Sequence, residues 1–343
     1  MAISPLPLRY GVPLAPLTTF QVPAKAERFL EVKELNTLQE AMKVPEIWEG
    51  RKLILGGGSN VLFTEDQGGT VLHNGIEGKE LLRRTNGEVL IRVGGGENWH
   101  RFVRYCVEKG YGGVENLSLI PGRVGAAPMQ NIGAYGVELE EVFEELEAFD
   151  LESGRVERFR KEDCAFGYRS SVFKTFHKDR FMILNVTLRL SLEPEFKISY
   201  GSLREELERM EVEELSLDAV SQAVIRIRRS KLPDPEEIGN AGSFFKNPVV
   251  DADKFAALQE ADPELKGFPL ENGNYKIPAA RLIERTGWKG KRFDGHGVHD
   301  RQPLVLVNHG GAHGSDIRDL AARIRTSVFK QFGVELEPEV NIL

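Results

Sequence analysis

Hydrophobic and polar positions along this chain switch repeatedly between a period of two residues and a period near 3.6. ELNTLQEAMK at 34–43 predicts a short helix, and LDAVSQAVIRIRRSKLPDP at 217–235 predicts a longer one with an apolar stripe. A further helix is predicted at 278–287, and a strand at 303–308. This mixture of both periods predicts an α+β or α/β class rather than a single repeat.

Two strand-like runs each lead into three consecutive glycines. RKLILGGGSNVLF at 51–63 reads as a strand, a glycine triplet, a polar pair and another apolar run. EVLIRVGGGENWHRFVRYCVEKG at 88–110 reads as a strand, a triplet and a helix that Gly110 ends. The stretch from 142 to 192 alternates in the manner of several strands.

The stretch GGVENLSLIPGRVGAAPMQNIGAYGV at 112–137 consists largely of glycine, proline and other small residues. It contains too many turn formers for regular structure, and it is too apolar for a disordered linker. We therefore expect an ordered loop that wraps closely around something.

The C-terminal end combines a helix with an alternating tail. The pattern predicts Ser315 as the N-cap of the last helix and Gly333 as its end. The tail VELEPEVNIL then places Glu335, Glu337 and Glu339 on one face. These carboxylates fit the solvated face of an edge strand, although one of them turned into a cleft would have a raised pKa.

Composition and charge restrict the class of protein. The chain has 343 residues, so two or three domains are expected. With 41% hydrophobic and 28% charged residues it has the composition of a soluble globular protein. The net charge of −7 argues against a nucleic-acid-binding protein. An anionic ligand would need a local basic patch, which the arginines and lysine of 226–231 can supply.

Targeting features and cysteines point to the cytoplasm. The first twenty residues lack the pattern of a signal peptide, and no apolar run approaches the roughly 20 residues that span a bilayer. Cys106 and Cys164 are far apart and show no metal-binding spacing. We expect free, reduced thiols in a cytoplasmic protein.

The glycine triplets favour anion binding, because glycine lets backbone N–H groups approach a phosphate. Neither the dinucleotide pattern G-x-G-x-x-G nor the P-loop pattern occurs. Each triplet taken alone fits a tight turn better than an anion site. Two triplets after two strands, together with the QNIGAYG loop, favour a large cofactor that contains a pyrophosphate.

Four histidines and Arg169 are further candidates for chemistry. His296, His299, His309 and His313 have spacings known from metal sites, but no carboxylate or cysteine completes either pair, and no metal is expected. Arg169 in FGYRSSVFK fits either a solvated side chain or one buried beside aromatic rings, where it could hold a carboxylate.

Ser243, in GNAGSFFKNP, fits a turn residue. It lacks the G-x-S-x-G pattern of a hydrolase nucleophile, because Phe245 stands where the second glycine would be.

Long motifs in order along the chain resemble those of the UDP-N-acetylenolpyruvoylglucosamine reductase family, in the longer subtype with a tyrosine-bearing loop. They are LTTF, LILGGGSNVLF, VGGGENWHRFV, ENLSLIPGRVGAAPMQNIGAYGVEL, FGYRSSVFK, YGSL, KLPDP, GNAGSFFKNP and LEPEV. The resemblance covers nearly the whole chain. It implies a flavoenzyme of peptidoglycan precursor synthesis and cell wall biogenesis.

The resemblance also implies the domain organisation and the cofactors. An α+β fold is expected, with an FAD-binding pair of the vanillyl-alcohol-oxidase type at 1–76 with 332–343 and at 77–232. A C-terminal substrate-binding α/β domain is expected at 233–331. FAD would be held without a covalent bond, and NADPH would be the co-substrate. The family further implies a monomer that acts on a UDP-sugar enolpyruvate, without nucleic-acid or membrane partners.

Residue roles follow from the same resemblance. Arg169 and Glu339 would assist at the enolpyruvyl group, and Ser243 would donate the proton. FAD would be lined by Gly56, Gly57, Gly58, Ser59, Asn60, Pro121, Gly125, Gln130, Asn131, Gly133, Ala134 and Tyr135. The substrate would be bound by Tyr168, Tyr200, Lys231, Asn247, Phe268 and Gln302.

Two departures from the family pattern accompany these roles. Ala126 and Ala127 stand where relatives often have serines, and Phe268 stands where some have a tyrosine that contacts the nucleotide. Two alternatives to the reductase remain open: an FAD-dependent oxidase of sugars with the same fold, and a non-catalytic protein that binds UDP-sugars.

Overall fold

The computed structural model describes residues 6–343 and divides into two compact units. The first unit comprises the chain up to Val12, Ala26–Gly58 and Gly68–Ser230. The second comprises Pro13–Lys25, Ser59–Gln67 and Lys231–Leu343. Each unit therefore combines segments that are distant in sequence. The three domains with boundaries at 76/77, 232/233 and 331/332 stay a prediction.

Strands and helices alternate along the whole chain. The strands are β1 (Leu8–Pro13), β2 (Lys25–Val32), β3 (Lys52–Leu55), β4 (Val61–Leu62), β5 (Gln67–Asn74), β6 (Lys79–Arg84), β7 (Glu88–Gly94), β8 (Gly133–Ala134), β9 (Val137–Glu138), β10 (Phe143–Asp150), β11 (Val156–Arg160), β12 (Phe181–Ser191), β13 (Gly239–Ser243), β14 (Val249–Val250), β15 (Phe268–Pro269), β16 (Tyr275–Lys276), β17 (His296–Val298), β18 (Val305–Asn308) and β19 (Asn341–Ile342). The α-helices are α1 (Leu35–Ala41), α2 (Pro45–Trp48), α3 (Trp99–Lys109), α4 (Gly201–Arg209), α5 (Leu217–Lys231), α6 (Ala252–Ala261), α7 (Ala279–Arg285) and α8 (Gly314–Phe332).

The first unit contains a four-stranded sheet, in the order β1-β2-β5-β3, and a five-stranded sheet, in the order β11-β10-β12-β7-β6. Strands β10, β12 and β7 pair antiparallel along most of their length. Alternate residues of β7, namely Val89, Ile91 and Val93, are buried in the core, as the period of two predicted. Strand β7 of this sheet leads into α3 and the loop at 112–137, whereas the first glycine turn follows β3 of the four-stranded sheet.

Helix α3 shows why its sequence forms a helix at this place. Asn98 caps its N-terminus, because its side chain accepts a hydrogen bond from the Arg101 N–H at 2.9 Å. Buried positions recur at helical spacing from Trp99 to Val107, and each fully buried large side chain contributes about 1.5–3 kcal/mol. Gly110 ends the helix with φ +74°, which confirms its predicted C-terminal position.

The second unit is built on two three-stranded sheets, in the orders β13-β18-β17 and β14-β16-β15, with β19 parallel to β4. The prediction of Ser315 as N-cap of α8 is wrong. His313 is the N-cap, and Asp316 closes a capping box by accepting the His313 N–H at 2.8 Å. Ser315 consequently lies inside the first turn. Gly333 ends the helix with φ +61°, as expected.

The remaining predictions of local structure agree well with the fold. Residues 112–137 form an ordered loop with three short 3-10 helices, Glu115–Leu117, Val124–Ala126 and Pro128–Gln130. Cys106 and Cys164 are free and buried, and burial raises the pKa of the Cys164 thiol to about 12. No helix within residues 6–343 is both long and apolar enough to cross a bilayer.

Candidate functional site

Ser243 lies at the end of β13, behind a bulge. Asn240 is opposite Val307 on β18 and Ser243 is opposite Val305, so three steps on β13 match two on its partner. Gly242 stands in the bulge with φ +67°, and its N–H donates to the Asn240 side chain at 2.9 Å. A Cβ on Gly242 would meet no atom within 4 Å. The glycine is therefore required for its backbone angle rather than for lack of space.

The Ser243 side chain is half-buried, and its hydroxyl has no hydrogen-bond partner among residues 6–343. A nucleophilic serine needs a base that is hydrogen-bonded to its hydroxyl. No base is hydrogen-bonded to the Ser243 hydroxyl among residues 6–343. The arrangement therefore favours a hydroxyl that donates a proton or a hydrogen bond to a ligand.

The C-terminal tail runs antiparallel to the residues that follow Ser243. The Lys246 N–H donates to the Glu337 carbonyl at 2.9 Å, and the Glu339 N–H donates to the Phe244 carbonyl at 2.8 Å. These two bonds place the Glu339 backbone next to Phe244, the residue that follows Ser243. Two residues that are 96 positions apart, from 243 to 339, thus belong to one local structure.

The three glutamates of the tail have different surroundings. Glu335 is exposed and pairs with Arg325 at 3.1 Å, and Glu337 is exposed and pairs with Lys246. Glu339 is half-buried. The alternation of the tail is confirmed, and its third carboxylate is the one that differs from a solvated surface residue.

Asn60 is bonded to the C-terminal tail within the second unit. Its side chain donates to the Glu339 carbonyl at 3.2 Å. Its own carbonyl accepts hydrogen bonds from the Asn341 backbone at 3.1 Å and side chain at 3.0 Å. The end of the GGGSN turn and the predicted catalytic glutamate are therefore held together by direct hydrogen bonds.

In the first unit, the glycine turn after β3, at 56–58, lies against the stretch that contains Gly122 and Gly125, which we call the second glycine loop. A Cβ on Gly57 would come within 3.0 Å of the Gly122 Cα, so the two backbones are in contact. Gly58 and Gly122 both have positive φ, +58° and +116°. Within residues 6–343, the amide N–H groups of Gly57, Gly58 and Gly122 have no hydrogen-bond partner.

These two loops fit a dinucleotide cofactor. Adjacent backbone N–H groups at positive φ form concave sites for anions, and the pyrophosphate of FAD is such an anion. A Cβ on Gly57 would enter the space in which the two backbones meet, and Gly58 and Gly122 have backbone angles that favour glycine. The glycines are thus needed for a backbone surface on which a phosphate could be bound.

The second loop is fixed to the segment that begins helix α3. The Gly125 N–H donates to Gly95 at 2.8 Å, and the Trp99 N–H donates to Gly122 at 3.0 Å. A Cβ on Gly125 would lie 3.0 Å from the Gly95 Cα. Both glycine triplets noted in the sequence therefore contact the second glycine loop. Gly57 of the first triplet contacts Gly122, and Gly95 of the second triplet is hydrogen-bonded to Gly125.

The QNIGAYG loop and Arg169 form one hydrogen-bonded group. The Arg169 guanidinium donates to the Gly133 carbonyl at 2.8 Å. Lys174 donates to the Gln130 side chain at 3.4 Å and to the Arg169 carbonyl at 3.3 Å. Asn131 is buried and donates to Glu138 at 2.8 Å. The role of Lys174 was not predicted, although it stands in the quoted FGYRSSVFK motif.

Arg169 itself has φ +52°, which is uncommon for a residue with a side chain. Its guanidinium lies 5.7 Å from the centre of the Tyr168 ring, as the aromatic flanks of the motif suggested. The side chain is half-buried, whereas Tyr168 is exposed. This position suits a cation that receives a carboxylate.

Tyr135 and Tyr200 meet edge to face, with ring centres 5.6 Å apart. Asn116, which sequence reasoning missed, donates to the Tyr135 carbonyl at 3.0 Å and to the Lys197 carbonyl at 2.8 Å. Burial raises the pKa of Tyr135, and Arg228 opposes this rise. The phenol therefore keeps its proton at neutral pH.

The predicted substrate residues of the second unit lie on several elements. Lys231 is exposed, and Gln302 is half-buried in the turn between β17 and β18. The Asn247 side-chain oxygen accepts the Ala279 N–H at 3.0 Å, so it helps to begin helix α7. Phe268 is 48% exposed and lines an open cavity of about 760 Å³, together with Phe255, Gln259, Lys266 and Arg281.

The histidines have structural surroundings. His296 stacks on Phe293 with ring centres 5.2 Å apart, and the His299 Nδ1 accepts the Gln302 N–H at 3.2 Å. Within residues 6–343, no group of three or more His, Cys, Asp or Glu side chains is arranged to hold a metal ion.

Comparison with known protein families gives two matches. Residues 26–160 match the FAD binding domain family. Residues 234–343 match the C-terminal domain family of UDP-N-acetylenolpyruvoylglucosamine reductase. The α+β class, with an FAD-binding part and a separate C-terminal domain, is thereby confirmed.

Whole-length relatives agree with these matches. The UDP-N-acetylenolpyruvoylglucosamine reductase of Amoebophilus asiaticus is 51% identical, over 98% of this chain and 99% of its own length. The reductase of the same name from Pseudomonas aeruginosa is 45% identical, over 98% of this chain and 99% of its own length.

A solved structure shows the same fold. The crystal structure of the reductase from Thermus caldophilus matches with a TM-score of 0.66 and 24% identity, and the match covers 98% of both chains.

Proposed function

Because the chain belongs to the UDP-N-acetylenolpyruvoylglucosamine reductase family, we propose that it reduces UDP-N-acetylglucosamine enolpyruvate to UDP-N-acetylmuramate in peptidoglycan precursor synthesis. NADPH is the reductant. When bound, FAD supplies the hydride transfer between NADPH and the enolpyruvyl carbon. The observation that supports this most directly is the pairing of the tail with the Ser243 segment, which brings two of the three proposed catalytic residues together.

The proposed FAD residues comprise two glycine turns and the QNIGAYG loop. Gly57 and Gly58 offer backbone N–H groups to the pyrophosphate, and Gly125 keeps the second turn close to helix α3. The other FAD residues in the proposal are Gly56, Ser59, Asn60, Pro121, Gln130, Asn131, Gly133, Ala134 and Tyr135. No covalent bond to the flavin is proposed.

Arg169 and Glu339 act on the enolpyruvyl group. Hydride addition to the terminal carbon leaves negative charge on the neighbouring carbon and the carboxylate, as an enolate. A preorganised cation stabilises such charge most where it develops, and Arg169 is held in place by its bond to Gly133. Glu339 acts either as a protonated acid or by orienting a neighbouring group.

Ser243 then delivers the proton to the enolate carbon. A serine hydroxyl is a weak acid, but an enolate is a strong base and can take a proton from it. The bulge and the left-handed Gly242 fix the position of the hydroxyl. Binding of the rest of the substrate is proposed for Tyr168, Tyr200, Lys231, Asn247, Phe268 and Gln302.

The setting of this reaction is proposed as well. The enzyme acts in the cytoplasm as a monomer and has no nucleic-acid or membrane partner. The net charge of −7 fits this proposal, because it disfavours both nucleic acid and anionic lipid surfaces.

The test of the proposed function separates the two halves of the reaction. The purified full chain should carry a flavin spectrum that NADPH bleaches under anaerobic conditions. Addition of the enolpyruvyl sugar nucleotide should restore the oxidised spectrum, and UDP-N-acetylmuramate should be found by mass spectrometry. Fast reoxidation by O₂ with no response to the sugar nucleotide would identify an oxidase instead. A colourless protein that binds UDP-sugars would identify a non-catalytic relative.

A glycine substitution tests the cofactor surface. Gly57→Ala should lower the flavin content of the purified protein severalfold, because its Cβ would lie 3.0 Å from backbone that cannot move aside easily. The ratio of flavin to protein absorbance measures this. Gly87→Ala is the matched control, since a Cβ there meets no atom within 4 Å. Equal flavin content in both variants would contradict the assignment of Gly57.

A further inference from the structure

Leu119 lies in a turn with Ser118, directly before Ile120 and Pro121 of the second glycine loop, and has φ +57°. The left-handed region is unfavourable for a leucine, because its Cβ comes close to the backbone carbonyl. Glycines occupy several neighbouring positions, but this one is not a glycine. Interactions with the rest of the unit must therefore hold the chain in this conformation.

Two side chains from different helices hold the two peptide groups of Leu119. The His100 Nδ1, on α3, accepts the Leu119 N–H at 2.9 Å. The Arg228 Nε, on α5, donates to the Leu119 carbonyl at 3.1 Å. Leu119 is thus fixed from both sides by side chains that lie 128 positions apart in sequence, from 100 to 228.

The same helices also hold the two residues before Leu119. The Trp99 indole N–H donates to the Leu117 carbonyl at 2.9 Å. The hydroxyls of Ser118 and Ser221 are 2.8 Å apart and share a hydrogen bond. After Pro121, the Gly122 carbonyl accepts the Trp99 N–H at the start of α3, and the Gly125 N–H donates to the Gly95 carbonyl. Ile120, which is half-buried against the core of the unit, and the exposed Pro121 therefore lie in a stretch of chain that is anchored before and after them.

Only one protonation state of His100 permits its bond to Leu119. Nδ1 can accept the N–H only while it carries no proton, so the imidazole is neutral. The charged groups facing His100 are Arg104 on its own helix and Arg228 and Arg229 on α5. Burial first, and then these three cations, lower the pKa of His100.

We propose that His100 is a positioning residue for FAD: by accepting the Leu119 N–H, it holds the left-handed peptide that sets the course of the chain through Pro121, and thereby raises the affinity for the cofactor. Its side chain need not touch the flavin. This inference rests on the FAD binding of the proposed function and adds a residue that the site described above does not include.

The mechanism predicts a pH dependence of FAD affinity with a definite sign. Above the ordinary histidine pKa of about 6.5, His100 is neutral and the bond is complete. Because the pKa is lowered in the fold, the bond is lost only as the pH falls below 6.5. Protonation of His100 also places a fourth positive charge beside three arginines, which repel it. Because the bond to Leu119 is lost, FAD affinity should decrease towards acid pH.

The test measures FAD affinity in the full chain stripped of flavin, by quenching of flavin fluorescence at pH 8 and pH 5.5. His100→Leu removes the acceptor and should weaken binding about 3- to 10-fold at pH 8. His100→Asn places an amide oxygen near the Nδ1 position without a titrating group. It should bind within about twofold of the wild type at pH 8 and should lose less affinity at pH 5.5. His309→Leu, at an exposed histidine of the second unit, is the control and should behave as wild type.

A double variant tests whether the left-handed peptide is the reason. Glycine adopts φ +57° without a steric cost, so Leu119→Gly should restore part of the affinity lost in His100→Leu. Thermal unfolding of each flavin-free variant shows whether it is folded. If His100→Leu does not fold, the pH dependence of FAD affinity in His100→Asn tests the positioning role instead.

Several results would overturn the inference. They are wild-type affinity in His100→Leu, equal losses in His100→Asn and His100→Leu, and no recovery in the double variant. If none of the proteins, including the wild type, bound FAD, the proposed function itself would fail. The positioning role alone fails if all of them bind FAD equally.

Discussion

Replacement of Ser243 by alanine is expected to leave the reduction of bound flavin by NADPH unchanged and to slow its reoxidation by the enolpyruvyl substrate about 10²–10⁴-fold. Such a loss corresponds to about 3–5 kcal/mol in the activation barrier. The reason is that we propose this hydroxyl, which has no hydrogen-bond partner among residues 6–343, as the donor of the proton that completes the product. Stopped-flow absorbance at the flavin band measures both half-reactions separately.

Ser327→Ala is the matched control for this variant, because Ser327 is a serine of the same unit whose hydroxyl donates to the Arg323 carbonyl within helix α8. Its two half-reactions should equal those of the wild type. A Ser243→Ala enzyme that is reoxidised at the wild-type rate would exclude Ser243 as proton donor. A loss in both half-reactions would instead indicate a damaged flavin site.

Replacement of Glu339 by glutamine is the second change with a large expected effect. It preserves the shape of the side chain and removes its charge and acidity. Because the Glu339 backbone is bonded to Phe244 and Asn60, the local structure should persist. Reoxidation by substrate should fall about 10²–10⁴-fold, as for loss of an acid–base group, while reduction by NADPH stays near normal.

The tail provides its own control in Glu337→Gln. Glu337 is exposed and forms a surface ion pair with Lys246, which contributes at most about 1 kcal/mol. This variant should turn over within about twofold of the wild type. If both glutamine variants were equally active, Glu339 would have no special role. If Glu339 acts as an acid, its removal should also flatten one limb of the pH–rate profile, whereas an orienting role would leave the shape unchanged.

The local structure around the site was largely predictable from sequence. The run from 88 to 110 contains its own strand, cap and glycine end, and the structure follows it. The two triplets and the loop at 112–137 were correctly interpreted as ordered backbone with turns, because glycine and proline act through their own φ angles. The prediction of Ser315 as the N-cap was wrong, because the Asp316 carboxylate forms a capping box with His313, two residues earlier.

What the sequence by itself determined is the alternation of elements, the positions of glycine turns and the motifs that identify the family, because these depend on residues close in the chain. Tertiary structure alone decided which distant residues meet. Backbone hydrogen bonds bring Glu339 to Phe244, and a bulge turns Ser243 out of a regular strand. His100 and Arg228 hold Leu119 in a conformation that its own side chain disfavours, and no local pattern records such a contact.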